Sequence, residues 1–230
     1  MSRYVMIADL RRCVGCQTCT AACKQARGTP VGVQWRRVLD IEVGSYPEVQ
    51  RVFVPVGCQH CGDPPCVWVC PTGASQQRSD GVVIVDYKRC IGCMYCSIAC
   101  PYDARFRTLK AEFAFGDAPT EAEAVVFDPE RVAVATKCDF CIDRVSAGVE
   151  KGLVAGKEPD ATPVCVNSCI SGALIFGDLE DSRSDVSRLI KENQTFRMHE
   201  EVGTDPGFYY IWDGAPAPMG ASDEGEHTHA

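Results

Sequence analysis

Short apolar stretches separated by polar loops run along this chain and predict brief strands and helices rather than long elements. Val186, Leu189 and Ile190 follow a polar start at helical spacing, which predicts a peripheral helix within 182–194. The pattern as a whole favours a loop-rich α+β fold with short peripheral helices. The apolar runs typical of strands are "YVMIAD" (4–9), "GVVIVD" (81–86) and "ALIFGDL" (173–179).

The longest uncharged stretch, 161–177, is about as long as a membrane span but contains proline, asparagine, hydroxyl and thiol side chains. It does not predict a transmembrane helix, so we expect no direct membrane insertion and any membrane contact to go through a partner. The formal net charge of −8 argues against nucleic-acid binding. Arg11 and Arg12 precede a cysteine run rather than an apolar region, so we expect no export signal in this chain.

Cysteine changes this picture, because the 230 residues include sixteen of them. Secreted disulfide scaffolds are similarly rich in cysteine, but they are usually short and carry a leader. The sixteen cysteines fall into four groups of four with none left over. In chain order the groups are Cys13, Cys16, Cys19 and Cys23; Cys58, Cys61, Cys66 and Cys70; Cys90, Cys93, Cys96 and Cys100; and Cys138, Cys141, Cys165 and Cys169.

Three chemistries use thiols in such groups, and the spacing favours one of them. Zinc sites usually pair C-x2-C with a second pair a dozen or more residues away. In groups one and three, however, a third thiol follows the first pair within three residues. Disulfides fit worse, since the two cysteines of a C-x2-C pair are poor mutual partners. The run "CIGCMYCSIACP" (90–101) has the bacterial ferredoxin spacing, so iron–sulfur chemistry is predicted, with zinc as the alternative.

The cysteine groups recur as an internal repeat. Residues 4–23 align with 81–100 at a constant offset of 77, and "PPCVWVCPTGA" (64–74) is similar to "TPVCVNSCISGA" (162–173). Segments of the first kind predict a strand, a cysteine loop and a short helix. Segments of the second kind predict a cysteine loop, a helical turn and entry into a strand. Because the fourth cysteine of a run binds the other cluster in two-cluster ferredoxins, we expect two ferredoxin-like modules built from a duplicated unit.

The four groups resemble the iron–sulfur subunits of the molybdopterin oxidoreductase superfamily, on the motifs "CVGCQTCTAACK", "PPCVWVCPTGA", "CIGCMYCSIACPYDARF" and "KCDFCIDR". The resemblance covers about residues 3–212 and points in particular to polysulfide, thiosulfate and dimethyl sulfoxide reductases. It implies a non-catalytic electron-transfer subunit that connects a molybdenum or tungsten bis-pterin catalytic subunit to a membrane quinone-reactive anchor subunit. The motifs are specific to this type of subunit but not to a substrate.

The resemblance also implies which thiols share a cluster. The nested ligand sets, called sites 1 to 4 below, are Cys13, Cys16, Cys19 and Cys169; Cys23, Cys138, Cys141 and Cys165; Cys58, Cys61, Cys66 and Cys100; and Cys70, Cys90, Cys93 and Cys96. The residues alone support the groups and the exchange of the fourth cysteine, not the full nesting. Some relatives lack the second cysteine of group three and carry a three-iron cluster. Cys93 occupies this position, which implies four [4Fe–4S] clusters.

The repeat, the resemblance and the local sequence patterns together divide the chain into segments. We expect 1–36 with 132–180 as the module of groups one and four, 50–108 as the module of groups two and three, 109–131 as an inserted connection, 181–212 as a peripheral helix and docking segment, and 213–230 as a disordered acidic tail. Lys24 and Ile170 stand where a ferredoxin run has proline, so the first module is the less regular one. Residues 203–212 have two interpretations, contact with the catalytic subunit or an edge strand covering the chain's own core.

Several residues near the cysteines have competing interpretations. Trp68 and Tyr95 lie inside cysteine loops, and shielding of a cluster is favoured over a position between redox centres. His60 is interpreted as a side chain beside a cluster or as an exposed one, not as a ligand, because four thiols are already available. Lys24 and Arg12 flank the first group, where a solvated or charge-compensating role is favoured over contact with a partner's pterin.

The sequence contains no glycine-rich dinucleotide fingerprint after a strand and no nucleophile–base arrangement, so no catalytic site is predicted. We expect an electron-transfer subunit in the respiratory conversion of a sulfur or related inorganic compound. Two alternatives stay open, a free-standing polyferredoxin and the relay subunit of a hydrogenase-type complex. We expect the chain at the membrane through a partner, on the cytoplasmic face or, after export with a partner, on the periplasmic face.

Overall fold

The computed structural model describes residues 2–214, a mixture of small sheets and short helices joined by loops. The strands are β1 (Tyr4–Asp9), β2 (Arg36–Ser45), β3 (Glu48–Gly57), β4 (Ser75–Gln77), β5 (Val83–Val85), β6 (Leu174–Asp178), β7 (Thr195–Arg197) and β8 (Phe208–Ile211). The helices are α1 (Thr18–Arg27), α2 (Pro65–Trp68), α3 (Tyr95–Ile98), α4 (Glu121–Val126), α5 (Ile142–Glu150), α6 (Val164–Asn167) and α7 (Asp185–Glu192). The predicted mixed, loop-rich class is confirmed. The predicted tail, apart from 213 and 214, lies outside the described residues.

The largest sheet has the strand order β6-β1-β8-β7, so the N-terminal strand lies inside it. Strand β1 pairs antiparallel with β6 and parallel with β8. All six residues of β1 are buried, because both faces of the strand are covered. Met6 and Ala8 belong to the main core, whereas Val5 and Ile7 pack in a second apolar cluster with α7. A strand covered on both faces needs a continuous apolar run, which is what the sequence provides.

The α-helices are short, and the longest of those described, α1, has ten residues. Across residues 2–214, the structure contains no helix with the length and apolar character needed to cross a membrane. Helix α7 confirms the predicted peripheral helix. Its Val186 is fully buried against β1, and Leu189 and Ile190 pack onto the same cluster.

The segment 203–212 contains strand β8, whose place in the large sheet decides between the interpretations of this segment. Strand β8 lies between β1 and β7, so it is an interior strand of the sheet and β7 forms the edge. Phe208 and Tyr210 are fully buried, and the Tyr210 hydroxyl donates to the Pro55 carbonyl at 3.1 Å. The expectation of an edge strand is wrong, because residues 195–197 form a further strand that pairs with β8 on its outer side. The local sequence pattern of 203–212 does not reveal this pairing. The segment covers the chain's own core.

The small sheet of β4 and β5 repeats the arrangement of β6 and β1. Ser75 lies opposite Val85 in the small sheet, and Leu174 lies opposite Ala8 in the large one. These pairs occupy corresponding positions, since Val85 comes 77 residues after Ala8 and Leu174 comes 99 residues after Ser75. The predicted strand, cysteine loop and short helix are present in both segments of the first kind.

Strands β2 and β3 form a long hairpin whose base covers part of the core. The two strands pair along their whole length, from Arg36 opposite Gly57 to Ser45 opposite Glu48. Alternate residues of a strand share one face, and one face of β3 is buried in the main core. The buried residues of this face are Val52, Val54 and Val56.

Candidate iron–sulfur sites

The two cysteine runs at 13–23 and 90–100 share a backbone conformation that depends on left-handed residues. Gly15 and Gly92 both have a φ of +68°, and Gln17 and Met94 have φ values of 60° and 62°. Glycine adopts this conformation without steric cost, and the second left-handed residue of each run is the N-cap of α1 or α3. The chain therefore turns after the second thiol of each run into a helix whose first turn contains the third thiol, Cys19 or Cys96. The fourth thiol follows further along, with Cys23 inside α1 and Cys100 just after α3.

The four thiols that the resemblance assigns to site 1 line one cavity. Burial raises the pKa of Cys13, and the neighbouring thiols of Cys169 and Cys16 raise it further against a hydrogen bond from the Gly15 N–H. Cys16 is exposed, so this site reaches the surface. The structure thus brings a cysteine of group four into group one. The lining includes Cys13, Cys16, Cys19 and Cys169 with the apolar residues Val38, Pro55 and Leu174.

The four thiols assigned to site 3 line a second cavity. Burial raises the pKa of Cys61 to about 12, and Cys58, Cys66 and Cys100 act in the same direction. Cys100, the fourth cysteine of group three, therefore lies with three cysteines of group two. The lining includes Cys58, Cys61, Cys66 and Cys100 with Pro64, Pro65, Val83 and Tyr102.

The thiols assigned to site 2 form the most deeply buried set. Cys23, Cys138, Cys141 and Cys165 are all buried. Burial raises the pKa of Cys23, and the thiols that raise it further are Cys138, Cys165 and Cys141. Cys23, the fourth cysteine of group one, is therefore surrounded by cysteines of group four.

The thiols assigned to site 4 are partly open to solvent. Cys96 is buried, whereas Cys93 is exposed. Burial raises the pKa of Cys96, and Cys66, Cys90 and Cys70 raise it further. Burial would also raise the pKa of Cys70, but hydrogen bonds from Ser75 and neighbouring groups lower it to about 7.

The residues present fit [4Fe–4S] clusters by their donor chemistry. All sixteen cysteines are free thiols, and thiolates are the usual ligands of these clusters. Within residues 2–214, no group of three or more His, Cys, Asp and Glu side chains is arranged for one metal ion. The thiolates around a cubane each bind a different iron atom and therefore stand further apart than the ligands of one ion. Backbone N–H groups also approach three sulfurs: Ser75 to Cys70 at 3.4 Å, Leu174 to Cys169 at 3.5 Å and Ala135 to Cys90 at 3.4 Å.

His60 is buried, with 1% of its surface exposed, so the exposed interpretation is wrong. Its Nδ1 accepts a hydrogen bond from the Val83 N–H at 3.0 Å, and its ring stacks on Phe140 with centroids 3.7 Å apart. Burial, followed by the nearby Lys137 and Arg36, lowers the pKa of His60 well below its usual value. A neutral imidazole therefore links two C-x2-C loops, one from each predicted module.

Two buried arginines near the thiols were missed by the sequence reasoning. Arg36 is 1% exposed and Arg105 is 3% exposed. Arg105 donates to the Cys66 sulfur at 2.8 Å and to the Ser75 hydroxyl at 3.0 Å. Its place five residues after Cys100 is a signal that could have been used, whereas no local signal marks Arg36.

Lys24 is half-buried and donates to the carbonyls of Thr29 and Pro30 at 2.9 and 2.7 Å. It therefore closes the turn after α1, and the solvated interpretation is wrong for this residue. Arg12 is exposed, and its guanidinium lies so close to Gly172 that a Cβ there would be 2.7 Å from Nη2. The solvated or charge-compensating role and contact with a partner's pterin both stay predictions for Arg12.

Trp68 and Tyr95 lie at the surface beside the thiols of site 4. The Trp68 indole is 77% exposed and donates to Asp63 at 2.7 Å, and Tyr95 is 59% exposed. Shielding of a cluster and a position between redox centres both stay predictions for these two residues.

The sequence of this chain is similar to those of known iron–sulfur proteins. Residues 49–115 match the family described as a 4Fe-4S dicluster domain. The chain is 39% identical to a tetrathionate reductase subunit of Salmonella typhimurium, over 91% of this chain and 72% of that protein. It is 37% identical to a sulfite dehydrogenase subunit of Allochromatium vinosum, over 92% of this chain and 83% of that protein. It is 34% identical to the arsenate respiratory reductase iron–sulfur subunit of a Shewanella species, over 91% of this chain and 96% of that protein.

The fold, the free thiols and the matched domain define a ferredoxin-type iron–sulfur protein. The chain belongs to the iron–sulfur electron-transfer subunits of the molybdopterin oxidoreductases. These proteins are the electron-transfer subunits of multisubunit enzymes rather than their catalytic subunits, which confirms the expected role. The chain carries four [4Fe–4S] clusters, and its sixteen cysteines are enough to provide four thiols for each of them.

The buried acceptor of His60 leads to a testable prediction. His60→Leu leaves the Val83 N–H without an acceptor, which should destabilise the loaded protein by about 1–3 kcal/mol. His60→Asn is the matched control, because its side-chain oxygen can accept the same bond while the stacking on Phe140 is lost in both variants. The urea midpoint for anaerobic loss of cluster absorbance should fall further for leucine than for asparagine. Equal midpoints would contradict the importance of this hydrogen bond.

Proposed function

We propose that this chain transfers electrons between a molybdenum or tungsten bis-pterin catalytic subunit and a quinone-reactive anchor subunit in the membrane. The observation that carries the proposal is the alignment of about nine-tenths of the chain with subunits of tetrathionate reductase and sulfite dehydrogenase. Both names refer to sulfur compounds, and a further relative is named for respiratory arsenate reduction. The substrate of the complex would accordingly be a sulfur compound or a related inorganic compound.

We further propose that the sixteen thiols bind in the nested sets of sites 1 to 4. Bound [4Fe–4S] clusters supply one-electron redox chemistry. The cavities lined by Cys13, Cys16, Cys19 and Cys169, and by Cys58, Cys61, Cys66 and Cys100, support sites 1 and 3. The three thiols that raise the pKa of Cys23 support site 2. In these three sets a distant cysteine joins local ones, as in two-cluster ferredoxins.

We propose that the modules 1–36 with 132–180 and 50–108 derive from one duplicated unit, with 109–131 as an insertion. The predicted boundaries agree with the strand pairs, because β6 and β1 belong to the first module and β4 and β5 to the second. Matched hydrogen bonds also support a common origin. Asp9 N–H donates to the Ala173 carbonyl and Asp86 N–H to the Ala74 carbonyl, both at 2.8 Å.

We propose that site 4 faces the anchor and site 1 faces the catalytic subunit. Large apolar side chains are exposed beside site 4, as is typical of a protein interface. The chain would then be attached to the membrane through the anchor, on the cytoplasmic face or, exported with a partner, on the periplasmic face. The exposed residues are Trp68 at 77%, Tyr95 at 59% and Ile98 at 85%; the corresponding repeat positions beside site 1 are Asn167, Thr18 and Ala21. Site 1 exposes fewer large apolar side chains, namely Val14 at 57% and Ile170 at 74%.

The first test of this function is the composition of the native complex. Anaerobic purification from membranes should yield about sixteen iron atoms for this chain, together with one molybdenum or tungsten and two further chains. Metal analysis and mass spectrometry provide the measurement. Iron without a pterin metal would instead indicate a free carrier or a hydrogenase-type complex, and zinc in place of iron would overturn the cluster assignment.

The exchange of the fourth cysteine can be tested with three single variants. Under the proposed sets, Cys100→Ser and Cys58→Ser disturb the same cluster, whereas Cys90→Ser disturbs another. The EPR signal lost from the reduced complex should therefore agree between the first two variants and differ in the third. Loss of one common signal in Cys100→Ser and Cys90→Ser would favour a cluster held by the local run alone.

The proposed anchor surface can be tested with a charge. Ile98→Glu places a carboxylate in an interface that would otherwise be apolar, so binding of the anchor should fall at least tenfold, which corresponds to about 1.4 kcal/mol. Val125→Glu on α4 is the matched control, because both residues are 85% exposed. Quantitative co-purification measures the retained chains. Normal anchor binding by Ile98→Glu, or loss of the catalytic subunit instead, would contradict the orientation.

A further inference from the structure

Arg36 is a buried cation without an anionic partner of its own among the described residues. It begins β2 opposite Gly57 and is 1% exposed. Its guanidinium lies 4.9 Å from the Phe208 ring centroid, and Nη2 contacts the Met6 sulfur at 3.2 Å. Nε and Nη1 are buried without a hydrogen-bond partner in residues 2–214. A buried charge with no anionic partner and only one weak hydrogen bond is strongly unfavourable, so the loaded protein must compensate it in another way.

Arg36 contacts Met6 and Phe208, and both residues lie in the main core cluster that also contains thiols of sites 1 and 2. These thiols are Cys19, Cys23, Cys138 and Cys165. Burial alone would lower the pKa of Arg36, but Cys165, Cys138, Cys23 and Cys19 raise it above its usual value. The first three belong to the proposed site 2 and the fourth to site 1. Since cluster ligands are thiolates, these sites carry negative charge where the free N–H groups of Arg36 require acceptors.

We propose that Arg36 raises the reduction potentials of sites 1 and 2, by holding a fixed positive charge and free N–H donors beside their sulfurs. This inference rests on the ligand sets proposed above. Reduction adds negative charge to a cluster, so a nearby cation and hydrogen bonds to sulfur favour the reduced state. Site 2 should be affected more than site 1, because three of the four thiols belong to it.

Arg105 provides an independent counterpart in the other half of the chain. It donates to the Cys66 sulfur at 2.8 Å, and Cys66, Cys58 and Cys96 raise its pKa against the effect of burial. These thiols belong to sites 3 and 4. The two arginines are 69 residues apart, whereas the repeat offset is 77, so they do not occupy the same repeat position. Each half therefore has a buried guanidinium beside its own pair of sites, at an unrelated sequence position.

The experiment compares Arg36→Met, Arg36→Gln and Arg36→Lys in the intact complex, with Arg105→Met as the matched control. Anaerobic redox titrations followed by EPR give the four potentials, and iron analysis gives the loading. Arg36→Met should change the oxidised-to-reduced ratio of site 2 at a fixed potential at least tenfold, equivalent to about 59 mV for one electron. Site 1 should shift less, in the same direction, while sites 3 and 4 stay unchanged. Arg105→Met should show the reverse selectivity.

The other two variants separate charge from shape. Arg36→Gln should shift the reduction potentials of sites 1 and 2 as Arg36→Met does, and Arg36→Lys should keep potentials close to those of the wild type. Unchanged potentials in fully loaded methionine and glutamine variants would overturn the inference, as would an equal shift in the lysine variant. The neutral variants could also lose iron. In that case, a lysine variant that keeps its iron and the wild-type potentials supports the requirement for a positive charge. Loss of iron from all three variants overturns the inference. A wild-type complex without four clusters would instead contradict the proposed function.

Discussion

The burial of thiols beside one another is the constraint on which the rest of this structure depends. Burial, with the added effect of Asp139, raises the pKa of Cys138 to about 12 and that of Cys141 to about 11. At neutral pH these thiols are protonated in the metal-free chain, so iron must displace the protons when it binds. Because many of these thiols belong to the main core, folding of the core and loading of the clusters are coupled.

The cysteine loops and their flanking elements could be predicted from the sequence because their requirements are local. Gly15 and Gly92 allow the left-handed turn, and the apolar run before each loop forms a strand. The approach of Cys169 to group one is not local. It follows from the pairing of β6 with β1, which no residue near either cysteine encodes. The run spacing predicted that the fourth cysteine leaves its own group, and the resemblance to a known family provided the group that it joins.

Long-range packing also explains what the sequence could not reveal. Strand β8 is interior only because β7 pairs outside it. His60 is buried because Val83 and Phe140, distant in sequence, close around its ring. Arg36 begins an ordinary-looking strand, and only the tertiary structure buries it in the core that contains cysteines of groups one and four. In each case the local pattern is compatible with an exposed residue, and the tertiary structure decides otherwise.

The exchange of the fourth cysteine gives the proposed sites a linear order. Cys16 and Cys93 are exposed, so sites 1 and 4 reach the surface. Cys58 is among the groups that raise the pKa of Cys138, after burial, so sites 3 and 2 are neighbours in the interior. The stacked rings of His60 and Phe140 lie in the two C-x2-C loops that meet there. A protein that exchanges electrons with two different partners needs two accessible ends and a protected middle. Under the proposed ligand sets, moving one cysteine of each run into the adjacent site would produce both from one repeated loop.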